Sequence, residues 1–283
     1  MRPFDYLEPA TLEEALALLA EDPDDTLVMA GGTSLVILLK QDLIRPARVL
    51  GLRRLAHLGA IESGSAGLRL GALATHGALA RADAVRAHAP ALAATFAAVA
   101  TVRIREQATL GGNLAHADPA QDPPVTLLAL DASVVAMSKD RARTIPLEAL
   151  FVDVFETSLE PGELLLRVEV PPLPHGARAT YKKFLPNTLD DYATVSVAAV
   201  VAAGADGRCT HARIAVGGAG PVPFRAREAE RALVGSRLDE AAIREASALA
   251  ASAAEPIDDL RGSAEYKRAM TRVWAERALR EVA

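Results

Sequence analysis

The sequence has one cysteine, Cys209. A single thiol cannot make an intrachain disulfide, a cysteine-based zinc site or an iron–sulfur cluster. Any electrons this chain handles must therefore reside on an organic cofactor. Aromatic residues are scarce, at 4 %, and no apolar run approaches the roughly 20 residues needed to cross a bilayer. The longest apolar stretches, such as Val195–Ala203, read as buried strands. Blocks of like charge are also missing. The 31 Lys and Arg and 36 Asp and Glu are scattered, for a net charge of −5, and no basic stripe is present to neutralise nucleic-acid phosphates. The first residues, Met1 to Asp5, lack the layout of a secretory signal, so a cytoplasmic protein is expected.

What is present suits a globular α+β protein. At 283 residues and 51 % apolar, the chain can support one large or two to three small domains with real cores. Thr11 with Glu14 forms a capping-box pattern before a helical face of Leu12, Ala15, Leu16 and Leu19. A short strand, Leu27 to Ala30, follows and runs into Gly31-Gly32-Thr33-Ser34. The pattern predicts a first α/β unit over residues 1–55 and a mixed second unit over 56–175. In the second, Gly67–Ala72 reads as a strand, Thr75 as a helix cap and Asp122-Pro123 as the start of a helix through Leu130. The Pro/Gly-rich stretch Pro171–Gly176 is the clearest boundary. Beyond it, residues 176–283 predict an antiparallel sheet (179–185, 193–203, 213–217) followed by three helices (225–234, 239–253, 263–282).

Two glycine loops carry the chemistry. Strand-Gly31-Gly32-Thr33-Ser34-helix lets backbone N–H groups approach a phosphate, with hydroxyls and a helix N-terminus adding donors. Thr109-Leu110-Gly111-Gly112-Asn113 repeats the device about eighty residues later, as suits a diphosphate gripped from both sides. Neither loop is a Rossmann or Walker motif. A pair of strand-ending turns explains the same residues equally well, and spacing alone leaves both readings open. His116, Asp118 and Asp122 form a weak metal pattern, since Asp-Pro pairs are ordinary turn and cap chemistry. Asp122 suits a hydrogen bond from a ribityl or ribose hydroxyl instead. Ser34 lacks a nucleophile elbow, and Cys209 near His211 reads as a packed strand.

Ala30–Leu35 together with Thr109–Asp122 resembles the FAD-binding medium subunit of molybdenum hydroxylases, the carbon monoxide dehydrogenase and xanthine dehydrogenase group. The resemblance extends to Phe4-Asp5-Tyr6, Glu160–Leu165, Asp191-Tyr192-Ala193 and Ser263–Lys267, and so to the whole chain. It implies two FAD-binding α/β subdomains of the vanillyl-alcohol-oxidase type and a C-terminal sheet with a helical bundle. It implies that Val28, Ala30, Gly31, Gly32, Thr33, Ser34 and Leu35 hold FAD from one side. Thr75, Thr109, Gly111, Gly112 and Asn113 hold it from the other, with Asp122, Leu165 and Lys183 lining the flavin site. Tyr192 would lie against the isoalloxazine ring, where an aromatic excludes water; by itself Tyr192 reads as a half-buried strand residue. No catalytic residue and no metal are expected in this chain. The implied partners are a large molybdopterin subunit and a small subunit with [2Fe-2S] clusters, in a dimer of heterotrimers. The chain would take electrons from those clusters and pass them to an acceptor. The alternatives are a stand-alone FAD oxidoreductase of the same fold, like the reductase acting on a UDP-sugar, and a nucleotide-binding regulatory protein. Thr33 departs from the His or Gln common at its position. Pro186-Asn187-Thr188 departs from a more basic stretch.

Overall fold

The computed structural model describes residues 2–186, 188 and 191–283; Asn187, at the centre of the second departure, lies outside them. The first unit is a parallel three-stranded sheet, β1 (Asp5–Leu7), β2 (Thr26–Met29) and β3 (Arg48–Gly51), ordered β1-β3-β2, with helices α1 (Leu12–Glu21) and α2 (Leu35–Lys40). Thr11 caps α1 by accepting from the Glu14 N–H, while the Glu14 carboxylate reaches back to the Ala10 N–H at 2.7 Å. Ala15, Leu16 and Leu19 of α1 pack with Leu50 and Leu55, as the helical spacing required.

The second unit is an antiparallel five-stranded sheet in the order β4-β5-β10-β6-β7. Its strands are β4 (Ile61–Gly64), β5 (Gly67–Gly71), β6 (Ser133–Met137), β7 (Ala142–Pro146) and, after the hairpin β8 (Phe151–Asp153) and β9 (Glu156–Thr157), β10 (Leu164–Val170). Between β5 and β6 lie α3 (His76–Arg81), α4 (Asp83–His88), α5 (Pro90–Ala97), α6 (Val102–Arg105), α7 (Leu110–His116) and α8 (Asp122–Ala129). Thr75 caps α3 as expected, accepting from the Ala78 N–H. At α8 the expectation needs correcting. Gln121 holds the N-cap position, and Asp122 is the first helical residue with its carboxylate turned elsewhere. Pro123 and Pro124 follow at positions whose N–H groups have no intrahelical acceptor to lose. Every residue of α8 is buried.

The third unit begins with the antiparallel sheet β11 (Arg178–Phe184), β12 (Val195–Ala203), β13 (Cys209–Gly217) and β14 (Phe224–Arg225). Helices α9 (Arg227–Leu233), α10 (Glu240–Ser252) and α11 (Ala264–Val282) cover one face. The sheet serves two cores at once. Ala198, Val200 and Ala215 pack with α8 and the second unit, while Val195, Val197, Ala199, Val201 and Ile214 pack under α9 to α11. That explains why β12, apolar at every position but Ser196, does not alternate. An ion network closes the same junction. Arg225 pairs with Glu230 and Asp131 at 2.6 Å each, and Arg213 joins Asp131 at 2.8 Å. Cys209 is buried with its thiol directed to the His211 carbonyl at 3.3 Å, the packed strand expected of it. No described helix is long and apolar enough to cross a membrane.

His76 is fully buried against Phe96, ring centroids 5.7 Å apart, with neither ring nitrogen hydrogen-bonded among the described residues. Burial pushes its pKa down from 6.5 to about 4. The unfolded chain therefore takes up a proton that the folded chain refuses between those values. Stability from this residue is whole above pH 6.5 and drains as pH falls toward 4, by on the order of 3 kcal/mol. In His76→Phe the urea midpoint should fall less between pH 7 and pH 5 than in the parent. An equal fall in both would assign the acid sensitivity elsewhere.

Candidate cofactor site

β2 delivers the chain into the first glycine loop and α2 takes it out. Gly32 has φ +71°, a left-handed turn that glycine adopts without strain. Among the described residues, no acceptor is found for the N–H groups of Gly31, Gly32, Thr33 and Ser34. Ser34 occupies the N-cap position of α2, but its hydroxyl caps nothing. Four such donors at one turn, on partly buried residues, suit an anion.

The second loop is built differently, and its role as a donor set needs correcting. Its N–H groups are already engaged: Leu110 with the Ala74 carbonyl, Gly111 with Ala72, Asn113 with the Thr109 carbonyl, and Gly112 with the Thr109 hydroxyl. What it offers is closeness. A Cβ on Gly111 would stand 2.6 Å from the Ala72 Cβ, so that glycine lets α7 dock on the sheet. Gly112 is exposed and faces Ala30 of the first loop, 3.6 Å from its own virtual Cβ. Asn113 leaves its buried Oδ1 without a partner. The loops interlock at Gly31, where a Cβ would lie 2.1 Å from the Gln107 carbonyl, and the Gln107 side chain donates to the Gly31 carbonyl at 3.0 Å. Thr75 and Thr109 form a β-bridge beneath them.

A polar cluster forms where α8 meets β11. Asp122 and Lys183 are an ion pair of 2.9 Å, their side chains 6 % and 7 % exposed, and Lys183 also donates to the Ala98 carbonyl at 3.2 Å. Tyr181 donates its hydroxyl to the other oxygen of Asp122. Burial raises the Asp122 pKa and the Lys183 ammonium works against that rise. Burial, then the neighbouring Asp122 charge, pushes the Tyr181 hydroxyl well up, so it stays a donor. Tyr192 stands beside this cluster, and burial followed by the charge of Asp118 raises its pKa. With Leu185, Thr188, Thr194, Asp259 and Arg261 it lines a cavity of about 300 Å³.

The structure thus brings Ala30 and Gly31 of the first loop against Gly112 and Gln107, with Thr75 bridged to Thr109, and joins Asp122 to Lys183 in a separate cluster. Val28 sits on the strand leading in, partly exposed, while Leu165 belongs to the large core. Tyr181 escaped the sequence reading, although its spacing of two from Lys183 puts both on one face of β11. His116, Asp118 and Asp122 do not converge, and the described residues hold no metal-binding cluster. FAD suits what is there: free N–H groups at one turn, a side-chain-free surface at Gly112 and an orphaned amide oxygen beside it.

Two family models account for nearly the whole chain. The FAD binding domain in molybdopterin dehydrogenase matches residues 2–173, and the CO dehydrogenase flavoprotein C-terminal domain matches residues 179–282. The chain belongs to the FAD-binding subunits of the molybdenum hydroxylases. This flavoprotein subunit is 39 % identical to the 6-hydroxypseudooxynicotine dehydrogenase complex subunit alpha of Paenarthrobacter nicotinovorans, over 98 % of its own length and 93 % of the relative's. It is 35 % identical to the carbon monoxide dehydrogenase medium chain of Afipia carboxidovorans, over 98 % and 95 %. Among solved structures it superposes on a chain of the Cu,Mo-CO dehydrogenase with a TM-score of 0.94, covering 100 % of this chain and 99 % of that one at 34 % identity. The flavoprotein subunit is therefore part of an oxidoreductase.

Proposed function

We propose that this subunit holds FAD along α7 and relays electrons through it, from iron–sulfur clusters of a small partner subunit to an external acceptor. The observation that carries this reading is the contact between the loops, Gly31 against Gln107 and Ala30 against Gly112, beside four N–H groups with no acceptor among the described residues. The first loop would bind the diphosphate by those N–H groups, and Gly112 would let it approach. Thr33 would add one hydroxyl. Asp122, fixed between Lys183 and Tyr181, would accept from a ribityl hydroxyl, and Tyr192 would cover the flavin ring and exclude water. Bound FAD supplies reversible one- and two-electron chemistry. The chain's own residues bind and orient it and need move no proton.

One cysteine leaves the chain unable to hold a cluster of its own, so the donor must come from another subunit. A large molybdopterin subunit and a small [2Fe-2S] subunit, in a dimer of heterotrimers, complete the proposal. The test is purification from cells, with an absorption spectrum, identification of the flavin after acid release, and assay of copurifying molybdenum and iron. FAD with both metals in stoichiometric amount is the expected result. FAD without either metal would favour a stand-alone flavoenzyme, and no FAD even in the assembled complex would overturn the reading.

A further inference from the structure

Tyr192 lies in no strand, contrary to its reading as a strand residue, but in the segment before β12, and at 38 % exposed its ring is not fixed by sheet pairing. The guanidinium of Arg261 lies over that ring, 5.3 Å from its centroid, within cation–π range. We propose that Arg261 is a positioning residue: it occupies one face of Tyr192 and thereby holds the other face toward the flavin. The inference rests on the reading of Tyr192 as flavin-facing and assigns the residue that makes it so.

Arg261 is delivered by a braced turn rather than a free arm. Asp259 and Gly262 exchange backbone hydrogen bonds of 3.1 Å in both directions, and the Arg261 N–H donates to the Asp259 carboxylate at 2.8 Å. The other Asp259 oxygen pairs at 2.7 Å with Lys267, whose side chain is 3 % exposed on α11 and also donates to the Ile257 carbonyl at 3.0 Å. Gly262, at φ +143°, would place a Cβ 2.8 Å from the Tyr266 ring, so the turn lies flat on α11. Tyr266 packs in turn on Phe184, at the end of the strand that carries Lys183.

Among the described residues, little else holds the guanidinium. Its contact with Asp259 is 3.9 Å, and its buried Nε finds no acceptor among the described residues. The Tyr192 ring is its best-placed partner, and a ring covered on one side by a cation has one face left for stacking. Arg261 thus ties the residue over the flavin to α11 through Asp259 and Lys267.

Flavin emission reports this directly, because a tyrosine stacked on the ring quenches it. The measurement is fluorescence yield and lifetime of protein-bound FAD in the full chain, assembled with its partner subunits wherever loading requires them. Tyr192→Ala sets the unquenched level. Arg261→Ala should raise the yield by roughly two- to fivefold, the population shift that a cation–π contact of this kind supports. Arg261→Lys should restore most of the quenching, and Arg261→Ala should add nothing in the Tyr192→Ala background. Thermal midpoints within a few degrees of the parent would show that the change is local. Emission unchanged in Arg261→Ala but raised in Tyr192→Ala would overturn the role of Arg261 alone. Emission unchanged in Tyr192→Ala would overturn the placement of Tyr192 on the flavin.

Discussion

Gly112→Asp is expected to empty the protein of FAD while leaving its fold intact. Gly112 is the third residue of α7 after its cap, Thr109, and helix N-termini favour an acidic residue there over glycine. It is exposed, and its new Cβ would meet only the Thr109 hydroxyl at 3.0 Å and Ala30 at 3.6 Å. The apo chain should therefore melt within a few degrees of the parent. The diphosphate proposed to lie across this position would instead meet a carboxylate. At an effective dielectric near 20, two unit charges 4 Å apart repel by about 4 kcal/mol, roughly a thousandfold in Kd. Titration of the apo chain with FAD, beside a melting curve, checks both halves. Retained FAD affinity would remove Gly112 from the site. Gly31→Ala is no substitute, because its Cβ would strike the Gln107 carbonyl at 2.1 Å and push the loops apart.

The largest effect on stability should come from Lys183→Met. The pair with Asp122 is buried on both sides, so removing the ammonium leaves a carboxylate sealed against water with Tyr181 its one remaining partner among the described residues. Breaking such a pair costs about 3–5 kcal/mol, whereas replacing both partners costs much less. The urea midpoint of apo Lys183→Met should fall steeply, and Asp122→Asn/Lys183→Met should recover much of the loss. The pH dependence has a definite sign. Asp122 already has a folded pKa above its ordinary value because of burial, so its contribution to stability is most favourable at low pH and declines as pH rises through that folded pKa. Without Lys183 the pKa rises further, and the decline extends to higher pH. The deficit of the single variant should therefore shrink between pH 8 and pH 5. A constant deficit would show that lost packing of the lysine stem, rather than the stranded charge, is responsible.

Legibility in the sequence followed the range of the interactions. The cap at Thr11, the cap at Thr75 and the apolar run of β12, broken only at Ser196, are local signals, and each marks its element. The hairpin β8–β9 and helix α6, two to four residues per element, were too short to show a period. The glycine loops were legible as glycine loops, but not in their division of labour. Only pairing in three dimensions shows that the N–H groups of Leu110 and Gly111 are taken by Ala74 and Ala72, while those of Gly31 to Ser34 find no acceptor among the described residues. Asp122 looked like a helix cap because Asp-Pro is one. Its true partners, Tyr181 and Lys183, lie about sixty residues along the chain, a distance at which no spacing rule operates.

The sheet with a core on each face has a consequence for how this chain can come apart. The family models meet between residues 173 and 179, yet that seam is not a line of weakness. α8, buried along its whole length, uses β12 and β13 as its wall, and Asp131 just past its end is held by Arg213 and Arg225. A chain cut at the seam would leave a naked hydrophobic helix on one fragment and half a sandwich on the other. The two regions should melt as one cooperative block. Exchanging the C-terminal region between relatives is therefore a graft onto a shared core, and its success depends on matching the small residues of β12 to α8 more than on the joint itself.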